Sequence, residues 1–78
     1  MKLRVLWAPA ALHVFYQLPM HSAKLVDRSA IRFVERGEGE ILWDPPYYLL
    51  RAGFHDLVLA IDTEARTLTV LRIRRARR

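Results

Sequence analysis

The chain contains no cysteine. A disulfide scaffold, a thiolate zinc site and a cysteine nucleophile are all removed at once. Small secreted domains usually depend on such staples, so the absence points to an intracellular, cytoplasmic protein. No apolar run reaches the roughly 18 residues that a bilayer-crossing helix requires, so no membrane role is expected. Met1 to Ala10 begins in the basic and apolar manner of a signal peptide, but Pro9 and His13 interrupt the apolar stretch, and no leader is expected. The three histidines, His13, His21 and His55, show no metal-ligand spacing and have no carboxylate pair beside them. Neither a metal nor another cofactor is expected.

Acidic residues are missing from one place in particular. Residues 72–78 read Arg-Ile-Arg-Arg-Ala-Arg-Arg, with five arginines and no acid. Five of the 13 basic residues therefore sit in this tail, and the remaining eight balance the eight acidic residues of 1–71. The body is neutral and the tail carries the whole surplus of +5. Such a tail either frays into solvent or attracts a polyanion, with nucleic acid first and an acidic protein second. At 78 residues the chain makes one domain, spanning 1–78. A domain of this size buries only about 60% of its unfolded surface, so its core is thin.

Lys2 to Trp7 alternates weakly, with β-branched and aromatic content, and predicts a strand. Pro9 suits the first turn of a helix over Ala10–Leu18, and Pro19 stops it. That helix is apolar on most sides and is expected to be largely buried. Ser22 is placed to cap a second helix whose Ala23, Val26, Ala30, Phe33 and Val34 form one stripe, and Gly37 to end it. The short connection predicts a helical hairpin. Extended structure begins at Ile41–Trp43, is interrupted by Asp44-Pro45-Pro46 (an edge, a bulge or a turn), and resumes over Tyr47–Arg51. Ala52-Gly53-Phe54 reads as a turn, Asp56–Asp62 as a central strand, and Asp62–Arg66 as a hairpin loop. Thr67–Arg74 reads as a last strand rich in β-branched residues. The expected fold class is α+β in the order β-α-α-β-β-β, with the hairpin on one face of a small, mainly antiparallel sheet.

The segments Tyr48-Leu49-Leu50-Arg51-Ala52-Gly53, Leu57-Val58-Leu59-Ala60-Ile61-Asp62 and Thr67-Leu68-Thr69-Val70-Leu71-Arg72-Ile73 resemble the RelE/ParE toxin superfamily. Its members show an L-R-x-G-x-Y-R core, an apolar strand ending in I-D, and a basic last strand. The resemblance implies the toxin of a type II toxin–antitoxin pair, neutralised by a cognate antitoxin. RelE-like members cleave messenger RNA on the ribosome without a metal; ParE-like members lack that catalytic set and poison DNA gyrase. Arg51 matches the core arginine. Where the family has Tyr-Arg, this chain has His55-Asp56, and a carboxylate repels phosphate. The upstream lysines fall near Tyr47 and Leu49, the last catalytic arginine falls near Ala76, and the C-terminal tyrosine position lies beyond Arg78. These departures favour a ParE-like or otherwise non-RNase toxin. The alternatives are a ribosome-dependent RNase with a shifted site, and a non-toxic nucleic-acid- or protein-binding module.

Among single residues, Arg51, Arg72 and Arg74 form the best constellation. Period two places Val70, Arg72 and Arg74 on one face of the last strand and Leu71 and Ile73 on the other, and Arg51 joins from a neighbour. With Arg75, Arg77 and Arg78 they make a surface for a phosphate backbone or an acidic antitoxin segment. Candidates for catalysis are His55, Arg51 and Arg75, because imidazole exchanges a proton nearest neutral pH and guanidinium holds phosphate. Adjacent strand residues face opposite ways, so His55 and Asp56 are expected apart. Arg28, Arg32 and Arg36 form a ladder on the second helix, partly neutralised by Asp27 and Glu35 and read as solvated. Trp43, Tyr47 and Tyr48 either close the core or stack on bases.

Overall fold

The structure is a computed structural model that describes residues 2–76. Its elements are β1 (Arg4–Trp7), α1 (Pro9–Gln17), α2 (Met20–Arg36), β2 (Ile41–Asp44), β3 (Tyr47–Ala52), β4 (His55–Asp62) and β5 (Thr67–Arg75). The strands form one sheet in the order β1-β5-β4-β3-β2. β1 runs parallel to β5, and the other neighbours are antiparallel. Both helices bury their apolar stripes in one cluster on one face of this sheet. The expected α+β class therefore forms, with one strand more than anticipated. Pro45 and Pro46 make a complete turn, so Ile41–Asp44 pairs with β3 as a strand of its own.

Local chemistry explains most element boundaries. Pro9 begins α1, where its missing N–H is not needed. Gly37 ends α2 in the left-handed region at φ 68°, and its N–H donates to the Phe33 carbonyl. The expected Ser22 cap does not occur. Pro19 holds the extended cap position and α2 starts at Met20, two residues before Ser22. A proline with fixed φ is a firmer boundary than a serine that must find its own hydrogen bond.

The core is built by Val26, Ala30 and Val34 of α2, Ala11 of α1, and the inward residues of the sheet. Those are Leu50 and Ala52 on β3, Leu57 and Leu59 on β4, and Leu68, Val70 and Ile73 on β5. Leu3, Val5 and Trp7 close it on the β1 side. α1 is less buried than its composition implied: only Ala11 is fully covered, and Tyr16 is 78% exposed. α1 lies over β5, close to the sheet edge, while α2 contacts both β3 and β1. The 17 residues of α2 span about 25 Å, enough to cross the roughly 14 Å between those strands.

The last strand departs from simple alternation. Val58 pairs with Arg72 and Leu59 with Val70, which leaves Leu71 as an extra residue in a β-bulge. Val70 therefore faces the core together with Ile73, not the open side with Arg72 and Arg74. Trp43 and Tyr47 are also exposed rather than core, and only Tyr48 of that aromatic group packs inward.

The β3–β4 turn requires glycine. Gly53 has φ 66°, and a Cβ there would lie 2.9 Å from Leu25 Cδ1. Gly37 has a similar φ of 68° with nothing within 4 Å. Gly53→Ala is expected to cost about 1–2 kcal/mol from the backbone alone, plus the displacement of Leu25. Gly37→Ala should cost only the backbone share. Urea unfolding of both variants checks this, and equal losses would show that Leu25 accommodates the methyl freely.

Candidate site on the open face of the sheet

The face opposite the helices is defined by the residues between the core positions. On β3 these are Leu49 and Arg51, on β4 Asp56 and Val58, and on β5 Arg72 and Arg74. Strand pairing sets them in two rows: Arg51–Asp56–Arg74 and Leu49–Val58–Arg72. The three arginines singled out from the sequence are thus brought to one face. Arg72 and Arg74 are exposed and have no ion pair among the described residues.

Arg51 is not free. Its Nε donates to Asp56 Oδ1 at 2.9 Å, with the two side chains 24% and 13% exposed. Its backbone N–H donates to the Glu40 carbonyl at 2.9 Å. The row therefore carries the charges plus, minus, plus, and the carboxylate lies between two guanidinium positions. In this half-buried setting the ion pair is screened less than a surface pair. Beside it the second row is apolar up to Arg72: Val58 is only 8% exposed although it points away from the helices. A cleft of about 500 Å³ adjoins the rows, lined by Glu40, Leu42, Leu49, Arg51 and Asp56 among others.

The other candidates lie elsewhere. His55 pairs with Ala52 and with Arg75 at the end of the strands, in the row that faces the helix side. It is half-buried, and its Nδ1 is buried without a hydrogen-bond partner among the described residues. Arg75 is exposed and borders a cleft of about 450 Å³ with Arg51, Gly53, Phe54 and Ala76. His55 and Arg75 are thus neighbours, but His55 does not share the face of Arg72 and Arg74. Arg77 and Arg78 lie outside the described residues. On α2, Arg32 pairs with Glu38 at 3.1 Å, and Arg28 and Arg36 are exposed.

The role of Asp56 as partner of Arg51 was not anticipated from the sequence. A signal for it exists, because a two-residue hairpin turn at Gly53-Phe54 makes Ala52 and His55 the first pair and Arg51 and Asp56 the second.

No protein-family model and no curated protein sequence matches the chain. Solved structures do match it. The RelE–RelB complex from the archaeon Pyrococcus horikoshii superposes with a TM-score of 0.77 at 12% identity, covering 96% of both chains. The E. coli RelBE toxin–antitoxin complex gives 0.77 at 17% identity, covering 99% of this chain and all of that one. The chain has the RelE toxin fold. A YoeB dimer from Staphylococcus aureus shares it, with a TM-score of 0.73 at 19% identity over 99% of this chain and 100% of the other. Within this RelE fold Arg51 is held by an internal carboxylate, Asp56.

Removing that carboxylate is a direct test of the face. Asp56→Ala should cost about 1–3 kcal/mol, because a half-buried guanidinium loses its charged partner. The same variant should bind a single-stranded oligonucleotide more tightly than the parent. The plot of log affinity against log salt should steepen by about 0.7 for one added phosphate contact. Equal slopes would show that Arg51, once released, does not reach a phosphate.

Proposed function

We propose that this protein is the toxin of a type II toxin–antitoxin pair, acting in the cytoplasm without the usual RNase set and neutralised by a cognate antitoxin. The toxin reading rests on the RelE fold, and the observation that carries the absence of the RNase set is the Arg51–Asp56 ion pair. A site that binds and cleaves a phosphodiester needs donors converging on developing negative charge. Here one of the three arginines is already engaged, and a carboxylate stands in the same row as Arg74. His55, the acid–base candidate, lies on the opposite side of the sheet from Asp56, and this weakens the case for a shifted RNase site.

The same face suits a protein partner. Leu49 and Val58 give it an apolar floor, Arg72 and Arg74 give it cations, and Asp56 adds a counter-charge. Protein interfaces combine an apolar centre with such a charged rim. The antitoxin segment would meet Arg51, Arg72 and Arg74, with Arg75, Arg77 and Arg78 extending the basic surface. The cellular target of such a toxin is the ribosome with its message or DNA gyrase, and the engaged Arg51 weakens the first as an RNase substrate.

The test is in cells. Inducing the chain alone should arrest growth or division, and co-expression of a small neighbouring gene should restore it. Unchanged growth at full expression would remove the toxin reading. Primer extension on translated messages during arrest should show no new cuts at ribosomal A-site codons. Cuts there would replace this reading with a ribosome-dependent endoribonuclease using Arg51, Arg74, Arg75 and His55.

A further inference from the structure

The sheet has two edges, and they differ. β1 places Arg4 at its edge, with Lys2 just before it. β2 has no basic residue, and three consecutive large apolar side chains are exposed on it: Ile41, Leu42 at 62% and Trp43 at 55%. Natural edges are blunted by lysine, proline or a bulge. β2 has none of these within its span; Pro45 and Pro46 only terminate it.

The hydrogen-bonding phase of this edge can be read off. The Arg51 N–H donates to the Glu40 carbonyl, so Glu40 and Arg51 occupy a hydrogen-bonded site. Such sites alternate along an antiparallel pair, which makes Leu42 and Asp44 the next ones directed at β3. The N–H and C=O groups of Ile41 and Trp43 therefore point outward.

Charge then selects what pairs with them. From Gly37 to Leu50 the chain has three acidic residues and no basic one. Glu38 is taken by Arg32, whereas Glu40 and Asp44 have no ion pair among the described residues. Glu40, Leu42 and Asp44 share one strand face, with the two carboxylates about 13 Å apart. A second copy pairing through the same edge brings no basic residue to meet Glu40 and Asp44. Antiparallel self-pairing centred on Leu42 sets Glu40 opposite Asp44 twice, and like charges directly opposite destabilise a sheet.

We propose that the free edge of β2 is a docking strand for an extended segment of another protein. That segment reads basic, apolar, apolar, apolar, basic, and adds antiparallel as a sixth strand. Its central residue lies over Leu42, its basic ends meet Asp44 and Glu40, and its second and fourth residues bond to Trp43 and Ile41. Side chains approach most closely at sites that are not hydrogen-bonded, and Glu40, Leu42 and Asp44 occupy such sites toward the incoming strand. Backbone bonds supply the pairing and alternate side chains supply the selectivity, as in other strand additions. Glu40 and Leu42 stand opposite Arg51 and Leu49, so this edge borders the arginine face, but its outward backbone groups are its own and the pairing stands whether or not the chain is a toxin.

The experiment titrates the whole chain against fluorescent nonapeptides. Their central five residues are lysine, valine, isoleucine, valine and lysine, and a control has glutamate in place of both lysines. Anisotropy should show binding of the lysine peptide and a roughly tenfold or greater loss for the glutamate peptide. Glu40→Gln combined with Asp44→Asn should remove that difference. N-methylation of the second and fourth peptide residues should abolish binding, whereas methylation of the first, third and fifth should leave it intact, and neither change alters the fold of the protein. The proposal is overturned by no binding up to about 1 mM lysine peptide, by equal binding of both peptides, or by indifference to the methylation pattern. It is also overturned if the parent chain sediments as a dimer that Leu42→Lys dissociates, because the edge then belongs to a second copy.

Discussion

The two-residue turn at Gly53 and Phe54 decides which side chains of this protein share a face. It pairs Ala52 with His55, and every pair further along β3 and β4 follows from that one. Leu50 and Leu57 consequently meet under the helices, while Arg51 and Asp56 meet on the open side. A slip of one residue would set Arg51 opposite Leu57 on a common face, so that either the arginine enters the core or the leucine leaves it. The left-handed backbone at Gly53 and its contact with Leu25 of α2 hold the turn, so the register is tied to the helical layer as well as to the sheet.

β5 needs a second device to agree with this arrangement. Its Val70 and Ile73 are three residues apart, yet both face the helices. The bulge at Leu71 absorbs the odd residue and leaves Arg72 and Arg74 outward beside Val58 and Asp56. A domain this small has few core positions to lose. Shifting the phase of β5 keeps both valine and isoleucine inside and still delivers two arginines to the open face. The result is a face of mixed character, with Leu49 and Val58 beside Arg72 in one row, charges throughout the next, and one cation already satisfied.

Much of this was readable in advance, for identifiable reasons. Pro9 and Gly37 mark helix ends through fixed φ and the left-handed cap, and those marks hold locally whatever surrounds them. The Val26, Ala30 and Val34 stripe and the apolar run of β4 are equally local signals. What escaped depends on neighbours. Period two cannot show a bulge, because the bulge exists only relative to β4. Trp43 and Tyr47 look like core residues until β2 is seen to be the sheet's edge, with nothing beyond it to cover them. Among the site residues, the grouping of Arg51, Arg72 and Arg74 follows from alternation near the strand ends. The engagement of Arg51 by Asp56 follows from turn length.

The parallel pairing of β1 with β5 has a consequence for how the molecule is made. Arg4 aligns with Thr67 and Trp7 with Val70, so the first strand has no sheet partner until the last has emerged from the ribosome. Loop closure over nearly the length of the domain must precede that pairing, and such non-local contacts are slow to form. The β2–β3–β4 meander can form from local hairpins, whereas the arginine rows are complete only once β5 has been made. A chain that ends before β5 therefore lacks Arg72 and Arg74 beside Val58 and Asp56.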